Sequence, residues 1–142
     1  MSRRLMIYSD GGARGNPGPA AIAFLAFTET GGVVKADSRF IGTCTNNQAE
    51  YNALNAALRF AISAKAEEVV CHLDSELVVK QLNGEYSVKN HELQKLWRTT
   101  RELQGCFRKL SFVNVPRSNP YISRADALVN KTLDEEARSS RS

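Results

Sequence analysis

The sequence predicts an α/β or α+β protein in which helices pack against a single mixed sheet. Five short runs rich in apolar and β-branched residues are bounded by turns containing glycine, proline or asparagine. Longer segments after the third, fourth and fifth runs carry apolar residues at three- and four-residue spacing, which is typical of amphipathic helices. The resulting order, β-β-β-α-β-α-β-α, describes a five-stranded sheet flanked by helices.

The first three strands are predicted to form an antiparallel meander. The first apolar run, Leu5 to Tyr8, stops just before Asp10 and is followed by a segment with four glycines and two prolines, which reads as a loop. A second run covers residues 20–28 and a third covers 32–42, with a turn at 29–32 between them. Asp10 is therefore expected at the end of the first strand.

The rest of the chain alternates helices with strands. The predicted elements are a helix over 46–64, a strand over 67–73, a brief helix over 77–82, a helix over 93–104, a strand over 110–115 and a helix opening at Ser123. Trp97 falls on the apolar spacing of its helix and is predicted to be a core residue. No repeat or linker interrupts the pattern.

Size and charge suggest one domain with a polyanionic partner. The chain has 142 residues and is 42% hydrophobic, which allows one compact core, predicted over 1–138 with a disordered tail over 139–142. Lysine and arginine number 19 against 15 acidic residues, giving a net charge of +4. This excess suits a nucleic acid, although it could equally serve solubility alone.

The cysteines and the N-terminal residues predict the cellular compartment of the protein. Cys44, Cys71 and Cys106 are odd in number and fit neither a zinc knuckle nor a disulfide framework, so a reducing cytoplasm is expected. The apolar run near the N-terminus is too short for a signal-peptide core, and no segment predicts membrane association. The helices show no additional apolar face, so a monomer is expected.

Four polar segments each place a carboxylate at the end of an apolar run or the start of a helix. They are residues 10–19 with Asp10, 45–50 with Glu50, 74–76 with Asp74 and 125–130 with Asp126. Each acid also has a simpler interpretation, because Asp-Gly favours turns and the other three occupy spacings typical of helix caps and capping boxes. The simpler interpretations do not explain why all four acids could reach one edge of the sheet, which requires the first and fourth strands to be neighbours.

Four carboxylates meeting at one point would repel one another unless cations neutralise them. Hard divalent ions prefer oxygen ligands and leave positions open for water and phosphate, whereas zinc favours histidine and cysteine. Two Mg²⁺ ions can stabilise the attacking and leaving oxygens of a displacement at phosphorus. The acid set therefore suits phosphodiester chemistry.

The four segments resemble, in order and approximate spacing, the motifs of the type 1 ribonuclease H family. The motifs are Asp10-Gly-Gly with Asn16-Pro17-Gly18, Thr45-Asn46-Asn47 with Glu50, Asp74-Ser75, and Ala125-Asp126-Ala127-Leu128. The resemblance covers nearly the whole chain. It implies a ribonuclease H-like fold and hydrolysis of the RNA strand of RNA/DNA hybrids with Mg²⁺ or Mn²⁺, leaving 5′-phosphate and 3′-hydroxyl ends.

The resemblance also implies roles for single residues. Asp10 would bridge two metal ions, Asp126 would help to hold the ion that activates water, and Glu50 with Asp74 would hold the ion at the departing 3′ oxygen. The implied substrate contacts are Asn46 and Asn47 to the RNA strand near its 2′-hydroxyls, Asn16 and Thr45 to a DNA-strand phosphate, and Gly11 and Gly12 through close backbone approach.

Three departures from the family pattern affect these implied roles. The loop before the last helix lacks the histidine found in many members, and Arg117 is the candidate there for a phosphate contact, or else a solvated charge. The basic, tryptophan-containing handle that grips the DNA strand in some members is missing from residues 84–90. Glu76 stands where glutamine is common; it could still accept a hydrogen bond from a 2′-hydroxyl.

Two other interpretations stay open. A non-catalytic hybrid-binding or structural ribonuclease H-like domain would use the same fold, as would other metal-dependent nucleases. Double-stranded RNA stays open as a second substrate, since both duplexes tend toward A-form geometry.

Overall fold

A computed structural model describes residues 3–140 of the chain. The strands are β1 (Arg4–Ala13), β2 (Gly18–Thr28), β3 (Val33–Cys44), β4 (Glu68–Leu73) and β5 (Lys109–Asn114). The helices are α1 (Asn46–Ser63), α2 (Glu76–Leu82), α3 (His91–Gln104) and α4 (Pro120–Ser139). None of these helices combines the length and apolarity needed to cross a bilayer. The predicted five-stranded mixed sheet with flanking helices is confirmed.

The order of strands across the sheet is β3-β2-β1-β4-β5. β1 pairs antiparallel with β2 and parallel with β4, and the register places Tyr8 opposite His72. The first and fourth strands are therefore neighbours that run in the same direction, as the convergence of the acids requires. Asp10 and Asp74 consequently lie at the same edge of the sheet.

Helices cover the two faces of the sheet with different side chains. Residues Ile22 and Phe24 of β2 pack with α1 in the main core, which α2 and α3 also join, whereas Ala21 and Ala23 face α4 on the other side. This alternation follows from the two-residue period of a strand. Trp97 packs against the main core, as predicted. The small residues under α4 allow that helix to lie close to the sheet.

The first part of the glycine-rich segment after Asp10, residues 11–13, is strand rather than loop, so the predicted strand end at Asp10 is wrong. Gly11 and Gly12 pair with Ile22 and Ala21, and only residues 14–17 form the turn into β2. Gly11 is required by close packing, because a β-carbon there would collide with the carbonyl of Ala49 in α1. Gly11 thus serves the close approach of α1 to β1.

Two helix starts also differ from the prediction. α4 begins at Pro120, because the Asn119 side chain accepts hydrogen bonds from the backbone amides of Tyr121 and Ile122. Proline also fits the first position of a helix, where its missing amide proton is not needed. Ser123, the predicted start, lies inside the helix. α4 continues through Ser139, the first residue of the predicted tail, and residues 141–142 lie outside the described part of the chain.

Candidate active site

The four predicted acids meet at one cleft of about 420 Å³. Asp10 comes from β1, Glu50 from the first turns of α1, Asp74 from the residue after β4, and Asp126 from the second turn of α4. The cleft lies at the edge where β1 and β4 end in parallel and two helices approach from opposite faces. The topology therefore brings together residues that are up to 116 positions apart.

None of these acids caps a helix. Thr45 caps α1 and forms a capping box with Gln48, so Glu50 is not needed at the helix start. Ser75, and not Asp74, accepts the hydrogen bond at the start of α2. Because α4 starts at Pro120, Asp126 is too far along the helix to cap it. The simpler interpretations of Glu50, Asp74 and Asp126 are therefore wrong, and their carboxylates face the cleft instead.

Three of the acids form a tight group. One oxygen from each of Asp10, Glu50 and Asp74 lies within 4.8 Å of the other two. Glu50 is buried, and its Oε1 accepts a hydrogen bond of 3.2 Å from the backbone amide of Gly11. Its Oε2 has no donor among the described residues, and a hydrogen bond with the Asp10 carboxyl requires that one of the two acids be protonated. Asp126 faces the same cleft from the exposed side of α4.

The electrostatics of the group disfavour negative charge in the absence of a cation. Burial, together with the neighbouring Asp74 and Asp126 carboxylates, raises the pKa of Asp10 to about 7, although a hydrogen bond with Glu50 acts in the opposite direction. Burial also raises the pKa of Glu50 well above its usual range, with the Asp10 carboxylate as the next cause. A divalent cation would reverse both effects, since it compensates the desolvated charge.

The donor set fits a hard divalent ion. Among residues 3–140, the metal-ligating side chains that meet here are all carboxylates, which matches the ligand preference of Mg²⁺ or Mn²⁺. The buried and unpartnered Oε2 of Glu50 is the observation that favours a cation most directly, because such an oxygen is costly without a donor or a metal.

The predicted substrate-contact residues fall into two groups. Gly11, Gly12, Asn46 and Asn47 line the cleft, and the half-buried Asn47 side chain has no hydrogen-bond partner within the described part of the chain. Asn46 Oδ1 accepts from the backbone amide of Ala13 at 2.9 Å, which leaves its NH₂ group as a donor.

Asn16, Thr45 and Glu76 do not line the cleft. Asn16 Oδ1 accepts from the backbone amide of Asn46 at 3.0 Å, so it ties the β1–β2 turn to the start of α1. Glu76 is exposed and forms an ion pair of 2.6 Å with Lys80 one turn later. The Lys80 side chain lowers the pKa of Glu76, which keeps this carboxylate ionised.

Arg117 occupies the loop in which the family histidine is missing. Its Nε lies 3.7 Å from Asp74 Oδ2, and its side chain is 91% exposed, so the guanidinium is free to meet a ligand at the mouth of the cleft. The two histidines lie elsewhere. His72 stacks on Tyr8 and its Nδ1 lies 2.9 Å from the Ile7 carbonyl, and His91 opens α3.

Sequence reasoning missed Arg14 and undervalued Asn130. Both line the cleft, and Arg14 contacts both Asn130 and Asp134 on α4. Helical spacing was the available signal, because Asn130 and Asp134 follow Asp126 by four and eight residues and so share its helix face.

Comparison with known proteins places the chain in one family. Residues 8–132 match the family model described as reverse transcriptase-like. The crystal structure of RNase H1 from the halophilic archaeon Halobacterium salinarum is 42% identical in sequence and superposes with a TM-score of 0.89. The match covers 93% of this chain and 98% of that one. The chain belongs to the type 1 ribonuclease H family.

Two further ribonuclease H structures agree. The N-terminal RNase H domain of Rv2228c from Mycobacterium tuberculosis, solved as a maltose-binding-protein fusion, is 38% identical with a TM-score of 0.92, the match covering 98% of this chain and 99% of that one. LC11-RNase H1, solved in complex with an RNA/DNA hybrid, is 38% identical with a TM-score of 0.87. The match covers 94% of this chain and 99% of that one.

Full-length relatives in this ribonuclease H family are longer than the matched region. The chain matches Ribonuclease HI of Halobacterium salinarum at 42% identity over 132 residues, which is 93% of this chain and 65% of that protein. It spans 37% of the bifunctional protein Rv2228c, at 41% identity over 138 residues.

Proposed function

We propose that the protein is a metal-dependent endoribonuclease that hydrolyses the RNA strand of RNA/DNA hybrids. The observation that carries this proposal is the convergence of Asp10, Glu50 and Asp74 within 4.8 Å, with one buried Glu50 oxygen left unpartnered and Asp126 beside them. Membership of the ribonuclease H family and the hybrid complex of LC11-RNase H1 support the choice of substrate.

The four acids would hold two Mg²⁺ ions, with Mn²⁺ as a substitute. When bound, such ions lower the pKa of a water molecule and stabilise the departing 3′ oxygen, so cleavage would leave a 5′-phosphate and a 3′-hydroxyl. The protein's own contribution is to fix the carboxylates: Gly11 donates to Glu50, and the parallel pairing of β1 and β4 sets Asp10 beside Asp74. This pre-organisation removes the need to assemble the ligands for each turnover.

Asn47 and Asn46 would select RNA. An amide side chain can both donate to and accept from a 2′-hydroxyl, which deoxyribose lacks. Asn47 lines the cleft with its amide unengaged among the described residues, and Asn46 keeps a free NH₂ group. Gly11 and Gly12 line the cleft and would approach the RNA through their main chain, because α1 fills the space that a β-carbon of Gly11 would occupy. Asn16, Thr45 and Glu76 lie outside this cleft lining, where they would meet the substrate further from the scissile bond.

A non-catalytic hybrid-binding domain is the alternative function. The cost of burying Glu50 and Asp10 beside other acids argues against it, because a domain without catalysis would gain nothing from their mutual repulsion. We also propose that the protein is a monomer, which sedimentation would test, and that it works in a reducing compartment such as the cytoplasm, which agrees with Cys44, Cys71 and Cys106 all being free thiols.

Cleavage of an end-labelled RNA/DNA hybrid with Mg²⁺, Mn²⁺ or EDTA tests the proposed function. The same assay is run on RNA/RNA and DNA/DNA duplexes and on single-stranded RNA. We expect cutting of the hybrid RNA strand that requires a divalent cation and yields 5′-phosphate ends. Hybrid binding without cutting under either cation would establish the non-catalytic alternative, and cutting of RNA/RNA duplex would add a second substrate.

Arg117→Ala is expected to weaken hybrid binding by a few fold. If Arg117 contacts one phosphate, its removal should also lower the slope of log K against log salt by about 1. Lys109→Ala is the matched control, since Lys109 is exposed at the opposite end of β5 and its side chain makes no hydrogen bond or ion pair within residues 3–140. Fluorescence anisotropy of a labelled hybrid in EDTA measures both slopes; equal slopes for the two variants would show that Arg117 is only a solvated charge.

A further inference from the structure

We infer that Arg14 and Asn130 are positioning residues that hold the Asp126 carboxylate beside the other three acids, an inference that rests on the proposed function. Asp126 is the ligand that needs such help. Asp10 and Glu50 are buried and Asp74 is partly buried, whereas Asp126 projects from an exposed helix face and lies outside the group of three within 4.8 Å. An exposed aspartate has free rotamers and is repelled by Asp10.

A continuous set of hydrogen bonds reaches Asp126 along α4. Asn130 Nδ2 donates to the backbone carbonyl of Asp126 at 3.1 Å and to Asp126 Oδ2 at 3.3 Å. Arg14 Nη2 in turn approaches the carbonyl and Oδ1 of Asn130 at 3.3 and 3.4 Å, and forms an ion pair of 2.7 Å with Asp134 Oδ1. Because Arg14 engages Asn130 Oδ1, the amide of Asn130 is oriented with its NH₂ group toward Asp126.

The β1–β2 turn gives Arg14 a fixed base. The Arg14 amide donates to the Pro19 carbonyl at 2.8 Å, and Gly18 packs so closely that a β-carbon there would collide with the Arg14 carbonyl. The neighbouring Ala13 amide donates to Asn46 Oδ1, and the Asn46 amide donates to Asn16 Oδ1. The turn is therefore bonded to the first residue of α1, the helix that carries Glu50.

The turn consequently links two helices on opposite faces of the sheet. α1 carries Glu50 and α4 carries Asp126, and the turn at residues 14–17 contacts the first through Asn16 and the second through Arg14. An exposed ion pair such as Arg14–Asp134 contributes little to folding. The effect of the ion pair here is geometric, since it helps to fix the distance between α1 and α4, the helices that carry Glu50 and Asp126.

Asn130→Ala and Arg14→Ala test the inference. Residues that orient metal ligands typically change metal affinity or activity by 10–100-fold, so we expect the metal concentration for half-maximal cleavage to rise by about 10-fold in Asn130→Ala and by several fold in Arg14→Ala. The KM for hybrid, and hybrid binding in EDTA, should stay within about twofold of wild type. Calorimetric titration of Mn²⁺ into each protein should show the same weakening without any cleavage.

Lys131→Ala is the matched control, because Lys131 is an exposed cation on α4 whose side chain makes no hydrogen bond or ion pair among the described residues. It should leave Mn²⁺ affinity and the metal requirement unchanged, whereas Arg14→Lys should recover part of the loss by keeping a charge beside Asp134. The inference is overturned if both alanine variants match Lys131→Ala, or if their defect lies wholly in hybrid KM. Absence of cleavage by wild type would contradict the proposed function instead, and the Mn²⁺ titration would still decide the positioning role.

Discussion

Asp10→Asn is expected to reduce hybrid cleavage by about 10³-fold or more at saturating Mg²⁺. Asp10 belongs to the tight group with Glu50 and Asp74 and is also close enough to Asp126 for the two charges to interact. Asp10 thus interacts with each of the other three acids. Cation stabilisation of the attacking and leaving oxygens contributes several kcal/mol, and a loss of about 4 kcal/mol corresponds to about 10³-fold in rate.

Single-turnover cleavage at rising Mg²⁺ measures this effect, because it separates chemistry from product release. Glu135→Gln is the control, since Glu135 is an exposed acid on α4 whose side chain makes no hydrogen bond or ion pair within residues 3–140. It loses the same charge and should cleave at the wild-type rate. Asp10→Asn activity within tenfold of wild type would show that Glu50, Asp74 and Asp126 are sufficient and that Asp10 is a structural residue.

The order of elements and the four acids were predictable from the sequence because each leaves a local signal. Strand runs and helical spacing depend on burial of one face, and that burial is what the structure shows for β2 and α1. The neighbourhood of β1 and β4 is not a local property. The adjacency of these two strands could be expected only from the four acid-bearing segments, since nothing in the residues of β1 alone specifies β4 as its parallel partner.

The wrong predictions, a loop at Gly11 and Gly12 and a capping role for Asp74, share a physical origin. Glycine usually marks a loop, yet Gly11 and Gly12 continue β1, because the approach of α1 excludes any side chain at Gly11. Asp74 and Ser75 are both good capping residues, and only the three-dimensional structure shows that Ser75 caps while Asp74 turns into the cleft. In each case tertiary contact chose between two locally acceptable conformations.

Arg14 escaped prediction for a different reason. An arginine in a turn is ordinarily a solvated charge, and its partners Asn130 and Asp134 lie more than a hundred residues away. Contacts of that sequence separation carry no periodic signature. The site could therefore be predicted as a list of carboxylates. Helical spacing could add Asn130 to the face of Asp126, but the contact of Arg14 with that face required the structure.

Burial of the carboxylates has a consequence for stability that the metal-free protein should reveal. The pKa of Asp10 lies near 7 in the folded protein and near 3.8 as an ordinary aspartate, so the folded state holds this proton more tightly than the unfolded state. The protonated carboxyl therefore contributes stability that is fully present below about pH 4 and is lost as the pH rises to about 7. At 1.36 kcal/mol per pKa unit, the loss is at most about 4 kcal/mol.

In EDTA, the free energy of unfolding of Asp10→Asn should exceed that of wild type by an amount that grows between pH 4 and pH 8. Asparagine does not titrate, and its introduction removes the neighbouring charge that helps to raise the pKa of Glu50. Taking the difference between the two proteins cancels the titration of all distant groups. Urea unfolding at several pH values measures it, and a difference that does not vary with pH would show that Asp10 is already ionised in the folded, metal-free protein.

Saturating Mg²⁺ should remove or reverse this advantage at pH 8. A cation that binds only the folded wild type stabilises it by mass action, whereas Asp10→Asn lacks the central ligand and should gain much less. Asp10 would then be a residue whose charge destabilises the empty site and stabilises the loaded one. That combination is expected of a carboxylate kept for metal binding, because a purely structural acid would have been paired with an arginine or a lysine within the fold.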